Sequence, residues 1–314
     1  MHAVEENVSH RILITQPIDQ DGCDLLTRAG CTVDIWPGPG PIPYKKLLDR
    51  VRGCDGLISM LTDQVDAAVL DAGPVRVVAQ HAVGINNIDL DALKKRGVAL
   101  AHTPGVLTDA TADLAFSLIL AVGRRVVESD LWVRSGEWRG WAPTLMRGIE
   151  LKGAVLGIVG MGRIGGAVAH RAKAFGMDVI HHNRSSGVPL DQLLQQSDVV
   201  SLHCPLTPQT HHLIDEAALK KMKSTAVLIN TARGPVVDEN ALVHALNSGG
   251  IRGAGLDVFE NEPAIHPGLL QSNRTVLLPH IGSATWQTRK VMAQMCANNI
   301  LAGLRNEPLP NEVK

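Results

Sequence analysis

Three polar residues in the C-terminal half of the chain are the parts that reduction of a carbonyl requires. Arg233 lies in Asn230-Thr231-Ala232-Arg233-Gly234, Glu262 in the acidic run from Asp257 to Pro263, and His280 in Leu278-Pro279-His280-Ile281-Gly282-Ser283. Each follows an apolar run that reads as a strand, and open α/β sheets bind ligands beyond the carboxyl ends of their strands. A guanidinium flanked by small residues suits a carboxylate in two-point contact. An imidazolium, with an ordinary pKa of about 6.5, is a suitable proton donor to a developing alkoxide. A carboxylate bonded to its other nitrogen would favour the charged form and fix the ring. Taken singly, each residue also has a plainer reading: a surface arginine, a loop glutamate before proline, a histidine at a helix start. Spacing alone leaves these open.

The hydride such chemistry needs points to a nicotinamide, and Ala154–Gly165 (AVLGIVGMGRIG) supplies a place for one. The run Val155–Val159 predicts a buried strand. Gly160-x-Gly162-x-x-Gly165 follows, and then a helix with apolar positions Val168, Ala169, Ala172 and Phe175. Gly160 would allow the tight turn, Gly162 the approach of a pyrophosphate, and Gly165 close packing of helix on strand. The helix N-terminus would face the phosphates with free N–H groups. The plainer alternative is glycines that serve turn geometry alone. The strand Asp178–His182 ends in Asn183-Arg184-Ser185-Ser186 without an acidic residue to hold a ribose 2′-hydroxyl. Arg184 with the two serines suits a 2′-phosphate, so NADPH is expected in preference to NADH, with NAD as a possible substitute. The other reading of this segment is an exposed basic turn.

The elements that position these residues read as two series of alternating strands and helices. Strands are predicted at Arg11–Thr15, Thr32–Trp36, Gly56–Leu61, Val75–Gln80 and Val98–Ala101. The second series starts at Ala154 and has later strands at Asp198–His203, Ala226–Asn230, Gly253–Asp257 and Thr275–Leu278. Such alternation implies parallel, doubly wound sheets. Between the series lies a helical stretch, about 109–122 and again about 126–134, more apolar than one buried face needs, followed by a loop with Trp138 and Trp141. A partner subunit or a plain core would each absorb that excess. The last helix, about 284–304, has no strand after it and is expected to return to the first domain. The first ten residues are expected to be loosely held.

Bulk properties exclude other classes. A length of 314 residues suggests about two domains, and 45% hydrophobic residues are enough for sizeable cores. A net charge of −1 without a long basic run argues against nucleic acid or an anionic membrane as partner. Five scattered cysteines without a CxxC fit a reducing compartment and no disulfide framework. The N-terminus has no apolar core of signal-peptide type, and Leu114–Val122 is too short to span a bilayer. A soluble, cytoplasmic protein is expected. The pairs His181-His182 and His211-His212 lack a third ligand at a suitable spacing, so no metal is expected.

On these residues the chain resembles the D-2-hydroxyacid dehydrogenases, and within them the glyoxylate/hydroxypyruvate reductases. The resemblance runs from about Ile12 to Glu312 through HTPGVLTDATADLAFSLIL (102–120), LGIVGMGRIG (156–165), SLHCPLTPQT (201–210), INTARGPVVDENAL (229–242), GAGLDVFENEP (253–263) and LLPHIGSAT (277–285). It implies a Rossmann cofactor domain over 104–284, and a flavodoxin-like substrate domain from 1–103 plus about 285–314. A cleft would lie between the two, and an arm over about 106–150 would form a homodimer. It implies His280 as general acid, Glu262 as its partner, and Arg233 as the residue that orients and polarises the keto acid. Leu61, the amides of Val83 and Gly84, Ser283 and Trp141 would complete the substrate site, with Trp141 approaching the neighbour or simply packing in the interface. Thr111, Gly160, Gly162, Arg163, Ile164, Gly165, Asn183, Arg184, Ser185, Cys204, Pro205, Thr210, Thr231, Ala232, Asp257 and Gly282 would surround the cofactor. The expected reaction is reduction of glyoxylate or hydroxypyruvate to glycolate or D-glycerate. Reduction of bulkier 2-keto acids, or an NAD(H)-sensing corepressor or scaffold of the same fold, stand as alternatives. One departure is Asn86, where the family often has Asp.

Overall fold

The structure, a computed structural model, describes residues 9–313. The chain folds as two compact units, one of residues up to Leu107 together with those from Ala284, the other Thr108–Ser283. Among the described residues no helix is long and apolar enough to cross a membrane.

The first unit alternates β1 (Arg11–Ile14), α1 (Gln20–Arg28), β2 (Thr32–Ile35), α2 (Tyr44–Arg50), β3 (Gly56–Ser59), α3 (Ala67–Ala72), β4 (Val77–Gln80), α4 (Leu90–Arg96) and β5 (Ala99–Ala101). Its sheet has the order β2-β1-β3-β4-β5, all parallel. Both faces are buried, as a parallel sheet demands. Ile12, Ile14, Ile58, Val77 and Ala79 pack on one side, while Leu13, Leu57, Val78 and Leu100 pack on the other. Helix starts follow from capping carboxylates: Asp66 accepts from Val69 N–H and Asp89 from Ala92 N–H. Gly97, at φ 64°, ends α4.

The second unit opens with α5 (Thr108–Gly123) and α6 (Val126–Arg134). There follow β6 (Val155–Val159), α7 (Arg163–Ala174), β7 (Asp178–Asn183), β8 (Ser186–Gly187), α8 (Leu190–Gln196), β9 (Val199–Leu202), α9 (Glu216–Lys221), β10 (Val227–Asn230), a 3-10 turn (Gly234–Val236), α10 (Glu239–Ser248), β11 (Gly253–Leu256), α11 (Pro267–Gln271) and β12 (Thr275–Leu277). The order β12-β11-β10-β9-β6-β7-β8 reverses direction at β6, and only the β7–β8 pair is antiparallel. The chain is thus mixed α/β with parallel, doubly wound sheets, and its second unit is of Rossmann type. The reversal between β6 and β9 makes a crevice at their carboxyl ends, beside the glycine loop.

After β12 the chain returns to the first unit as α12 (Trp286–Leu304), which packs on α1 and β4 through Ala293, Cys296, Ala297 and Ile300. A Cβ at Gly22 would lie 2.7 Å from Ala293 O, so only glycine permits this approach of α1 to α12. Most of the expected loose N-terminal stretch lies outside the described residues. Ser9, within it, is already tethered, donating through Oγ to Gly30 O at 3.1 Å.

His81, at the carboxyl end of β4, is 6% exposed, and neither ring nitrogen has a partner. Burial, reinforced by the positive Arg289, pushes it down to about 4. In the unfolded chain it titrates near 6.5, so the unfolded state takes up the proton first as pH falls. The stability this contributes is complete above about pH 6.5 and is lost on the way down to pH 4, about 3 kcal/mol in all. We expect His81→Leu to lose less stability between pH 7 and pH 5 than the parent in urea titrations; parallel losses would contradict this. His203, in the second unit, is also pushed down to about 4 by burial, so the variant removes only part of the dependence.

Candidate active site

The glycine loop does three separate jobs. Gly160, at φ 98°, turns the chain after β6, and a Cβ there would lie 2.6 Å from Cys204 N. Gly165 brings α7 onto β6, since a Cβ would lie 2.3 Å from Gly160 O. At Gly162, the N-cap of α7, a Cβ would meet no atom within 4 Å, so the protein leaves open space there. No side chain caps α7, and its first N–H groups remain available to an anion. Arg163 is exposed at the first helical position and Ile164 is half-buried.

Around this loop the structure sorts the expected cofactor residues. Arg184 and Ser185 are exposed as the two-residue turn between β7 and β8. Asn183 is used internally: its Oδ1 accepts from Met161 N–H at 2.7 Å and its Nδ2 donates to Ser186 Oγ at 3.2 Å, tying the glycine loop to β7. Thr210 likewise braces its own loop, donating through Oγ1 to Pro205 O at 2.7 Å. Cys204 is buried, which pushes its thiol up to about 11. Thr231, just past β10, is buried, and its Oγ1 has no partner. A buried hydroxyl without a partner, and separately an uncapped helix start with an open glycine, fit a domain that takes a polar ligand.

Arg233, Glu262 and His280 all come from loops that follow β10, β11 and β12. Asn230, the last residue of β10, shapes the first loop: its Oδ1 accepts from Ala232 N–H at 3.0 Å and its Nδ2 donates to Arg233 O at 2.9 Å. Arg233 in turn donates through Nη1 to Ala232 O at 2.7 Å. Gly234 lets this loop touch the next, since a Cβ would lie 1.9 Å from Phe259 C. Glu262 is gripped at both oxygens: Phe259 N–H donates to Oε1 at 2.9 Å, and His280 Nδ1 lies 2.8 Å from Oε2. A carboxylate accepts, so Nδ1 carries the proton, and Nε2 is the ring nitrogen that Glu262 does not engage. Burial works against the ionised form of Glu262. The bond and charge of His280, the Phe259 N–H and the Arg233 charge outweigh it and hold the carboxyl below its usual range. Burial also lowers the pKa of Arg233, opposed by the negative Glu262.

Asp257, at 1% exposure, clamps the chain just after His280. Its Oδ1 accepts from Ile281 N–H at 2.7 Å and its Oδ2 from Gly282 N–H at 2.8 Å. Burial raises its pKa, offset in part by these amides. A Cβ at Gly282 would lie 3.3 Å from Asp257 Oδ2 and 3.4 Å from Thr111 Cγ2, which sets buried Thr111 of α5 against the same loop. Ser283 follows, half-buried. His280 itself holds a left-handed backbone at φ 55°, so it is braced by Glu262 through its ring and by Asp257 through the next two amides. Sequence reasoning missed Asn230, the Phe259 amide and this clamping role. Leu61, half-buried, and Val83 and Gly84 belong to the first unit.

Trp141 is 82% exposed, and α6 buries none of its residues, leaving Leu131 at 61% and Val133 at 52% exposure. His212 Nε2 pairs with Glu260 Oε1 at 2.5 Å. Among the described residues no group of three His, Cys, Asp or Glu could hold a metal ion.

The second unit is a Rossmann-type domain with a histidine, a carboxylate and a guanidinium on the loops beyond three neighbouring strands. Comparison with known proteins specifies it. The family model for the D-isomer specific 2-hydroxyacid dehydrogenase, NAD binding domain, matches residues 116–282. A glyoxylate reductase of Thermococcus litoralis is 47% identical over 319 residues, covering 96% of each chain. A solved protein from Thermus thermophilus superposes with a TM-score of 0.94 at 46% identity, over 97% of this chain and 100% of that one. The NADPH-dependent glyoxylate/hydroxypyruvate reductase of Sinorhizobium meliloti, solved with NADP and malonate, gives a TM-score of 0.87 at 31% identity, over 97% and 96%. The chain belongs to the D-isomer specific 2-hydroxyacid dehydrogenase family and is an oxidoreductase with an NAD(P)-binding domain.

Proposed function

We propose that the chain reduces small 2-keto acids, glyoxylate and hydroxypyruvate, to glycolate and D-glycerate, using NADPH in preference to NADH. The observation that carries the reading is the His280–Glu262 contact at 2.8 Å, with Arg233 on the neighbouring loop. Relatives named as glyoxylate reductases support the substrate class. Arg233 takes the substrate carboxylate and polarises the keto oxygen. The amides of Val83 and Gly84 also meet the carboxylate, and Leu61 and Ser283 border it. His280 delivers the proton to the carbonyl oxygen from Nε2, while Glu262 holds the ring through Nδ1.

The cofactor is proposed to lie along the glycine loop. Gly160, Gly162, Arg163, Ile164 and Gly165 would take the pyrophosphate. Asn183, Arg184 and Ser185 would border the adenosine ribose, and Cys204, Pro205 and Thr210 the adenine side. Thr111, Thr231, Ala232, Asp257 and Gly282 would flank the nicotinamide, which when bound supplies a hydride to the keto carbon. The exposed apolar residues of α6 and Trp141 support a homodimer through this arm, with Trp141 restricting substrate size. Five cysteines, all free and buried, support work in the reducing cytoplasm.

Initial rates with glyoxylate, hydroxypyruvate, pyruvate and phenylpyruvate, each with NADPH and with NADH, test the reading. Fast glyoxylate or hydroxypyruvate reduction is expected. Preference for phenylpyruvate would remove the role given to Trp141. Tight NADPH binding without turnover of any keto acid would favour a sensor or scaffold. For Arg184→Ala we expect KM for NADPH to rise about tenfold with little change for NADH, the loss of one charge-assisted contact. Equal effects on both cofactors would remove the 2′-phosphate role.

A further inference from the structure

In the first unit, the turn after β4 is held by its carbonyls. Thr103 N–H donates to Ala82 O at 2.9 Å. His102 Nδ1 lies 3.0 Å from Val83 O, and since a carbonyl oxygen only accepts, Nδ1 carries the proton. Gln80 Nε2 reaches Gly84 O at 3.4 Å and Asn87 Oδ1 at 2.9 Å. The orientation of that amide is set by Ser59 Oγ, which donates to Gln80 Oε1 at 2.6 Å. Asn87 then donates to Met60 O at 3.0 Å and Asp63 O at 2.6 Å, fastening this turn to the loop that carries Leu61.

A planar trans peptide points its C=O and the following N–H in opposite directions. A donor on Ala82 O therefore aims the Val83 N–H, and a donor on Val83 O aims the Gly84 N–H. The first donor is a main-chain amide. The second is the side chain of His102. We propose that His102 is a positioning residue for substrate binding: by holding the Val83 carbonyl it presets the Gly84 N–H for a carboxylate. This rests on the reading above, in which the Val83 and Gly84 amides meet the keto-acid carboxylate. His102 would touch neither substrate nor cofactor.

The geometry separates the two ring nitrogens, and so does the test. An asparagine amide nitrogen stands where His Nδ1 stands; a glutamine amide nitrogen stands where Nε2 stands. In the full-length protein we expect His102→Leu to raise KM for glyoxylate and Ki for oxamate about tenfold, the size of one lost hydrogen bond, with kcat and NADPH Kd within about twofold. His102→Asn should restore both constants to within about twofold, and His102→Gln should behave as His102→Leu. Unchanged KM and Ki in His102→Leu would overturn the proposal. So would equal damage by Leu and Asn, or a joint loss of kcat and NADPH binding, since these report general disruption. A wild-type protein that neither reduces a 2-keto acid nor binds oxamate would remove the underlying reading and this inference with it. Wild-type turnover with an indifferent His102→Leu would remove the inference alone.

Discussion

His280→Asn is expected to lower kcat/KM for glyoxylate about 10³-fold while leaving the Kd for NADPH within about twofold. The reason is local. His280 is the residue of the cluster whose free ring nitrogen can exchange a proton, because Nδ1 is committed to Glu262 at 2.8 Å. Asparagine retains a polar group near the Nδ1 position but offers no proton at Nε2. General acid catalysis contributes about 10²- to 10⁴-fold, and the whole of that contribution is at stake. Glu262→Gln should fall less, about 10²-fold, because the ring keeps a hydrogen-bond partner but loses the charged acceptor that holds it through Nδ1. Single-turnover rates with saturating NADPH measure both effects. A His280→Asn protein within tenfold of the parent would contradict the assignment.

Arg233→Gln is expected to cost about 10²- to 10³-fold in kcat/KM, expressed in both KM and kcat, because the guanidinium is asked to bind the carboxylate and to polarise the carbonyl. Removing one partner of a desolvated, hydrogen-bonded charge pair costs about 2–5 kcal/mol. Arg233→Lys should recover only part of this, since an ammonium is a point charge and cannot reproduce the planar fork. The site is prepared for the fork. Asn230 fixes the backbone on both sides of Arg233, and Gly234 lets the loop lie against Phe259. Full recovery by lysine would mean that charge alone matters and would remove the two-point contact from the account.

How much of this could be read from sequence varies with the kind of contact. The glycine loop was legible because each glycine answers a local steric demand between a strand and a helix. Arg233, Glu262 and His280 were legible as chemistry at strand ends, and the family resemblance joined them into one site. Asn230 and the Phe259 amide were not, because nothing local says which backbone groups a buried side chain will meet. Asp257 was noticed for its acidity, but its grip on Ile281 and Gly282 depends on β11 and β12 lying side by side. Asn183 and Thr210 show the converse: polar residues at the cofactor loops whose side chains spend their bonds on Met161 and Pro205. Among the elements, β8 was unread because Ser186–Gly187 is too short to show alternation, and α11 because five residues starting at a proline carry no helical period. The last helix starts at Trp286 rather than about 284 because Thr285 caps it, accepting from Thr288 N–H.

These contacts share one arrangement. β10, β11 and β12 are each followed by a loop that carries one of the three side chains; Gly234 lets the first loop lie against the second, and Asp257 and Glu262 tie the second to the third. On the proposed reading, in which His280 donates the proton and Arg233 anchors the carboxylate, a keto acid held by both would present one face to the hydride. Configurational analysis of the glycerate formed from hydroxypyruvate with NADPH therefore tests the central claim most directly. The account predicts D-glycerate alone. L-glycerate, a mixture of both forms, or no NADPH-dependent product would contradict it.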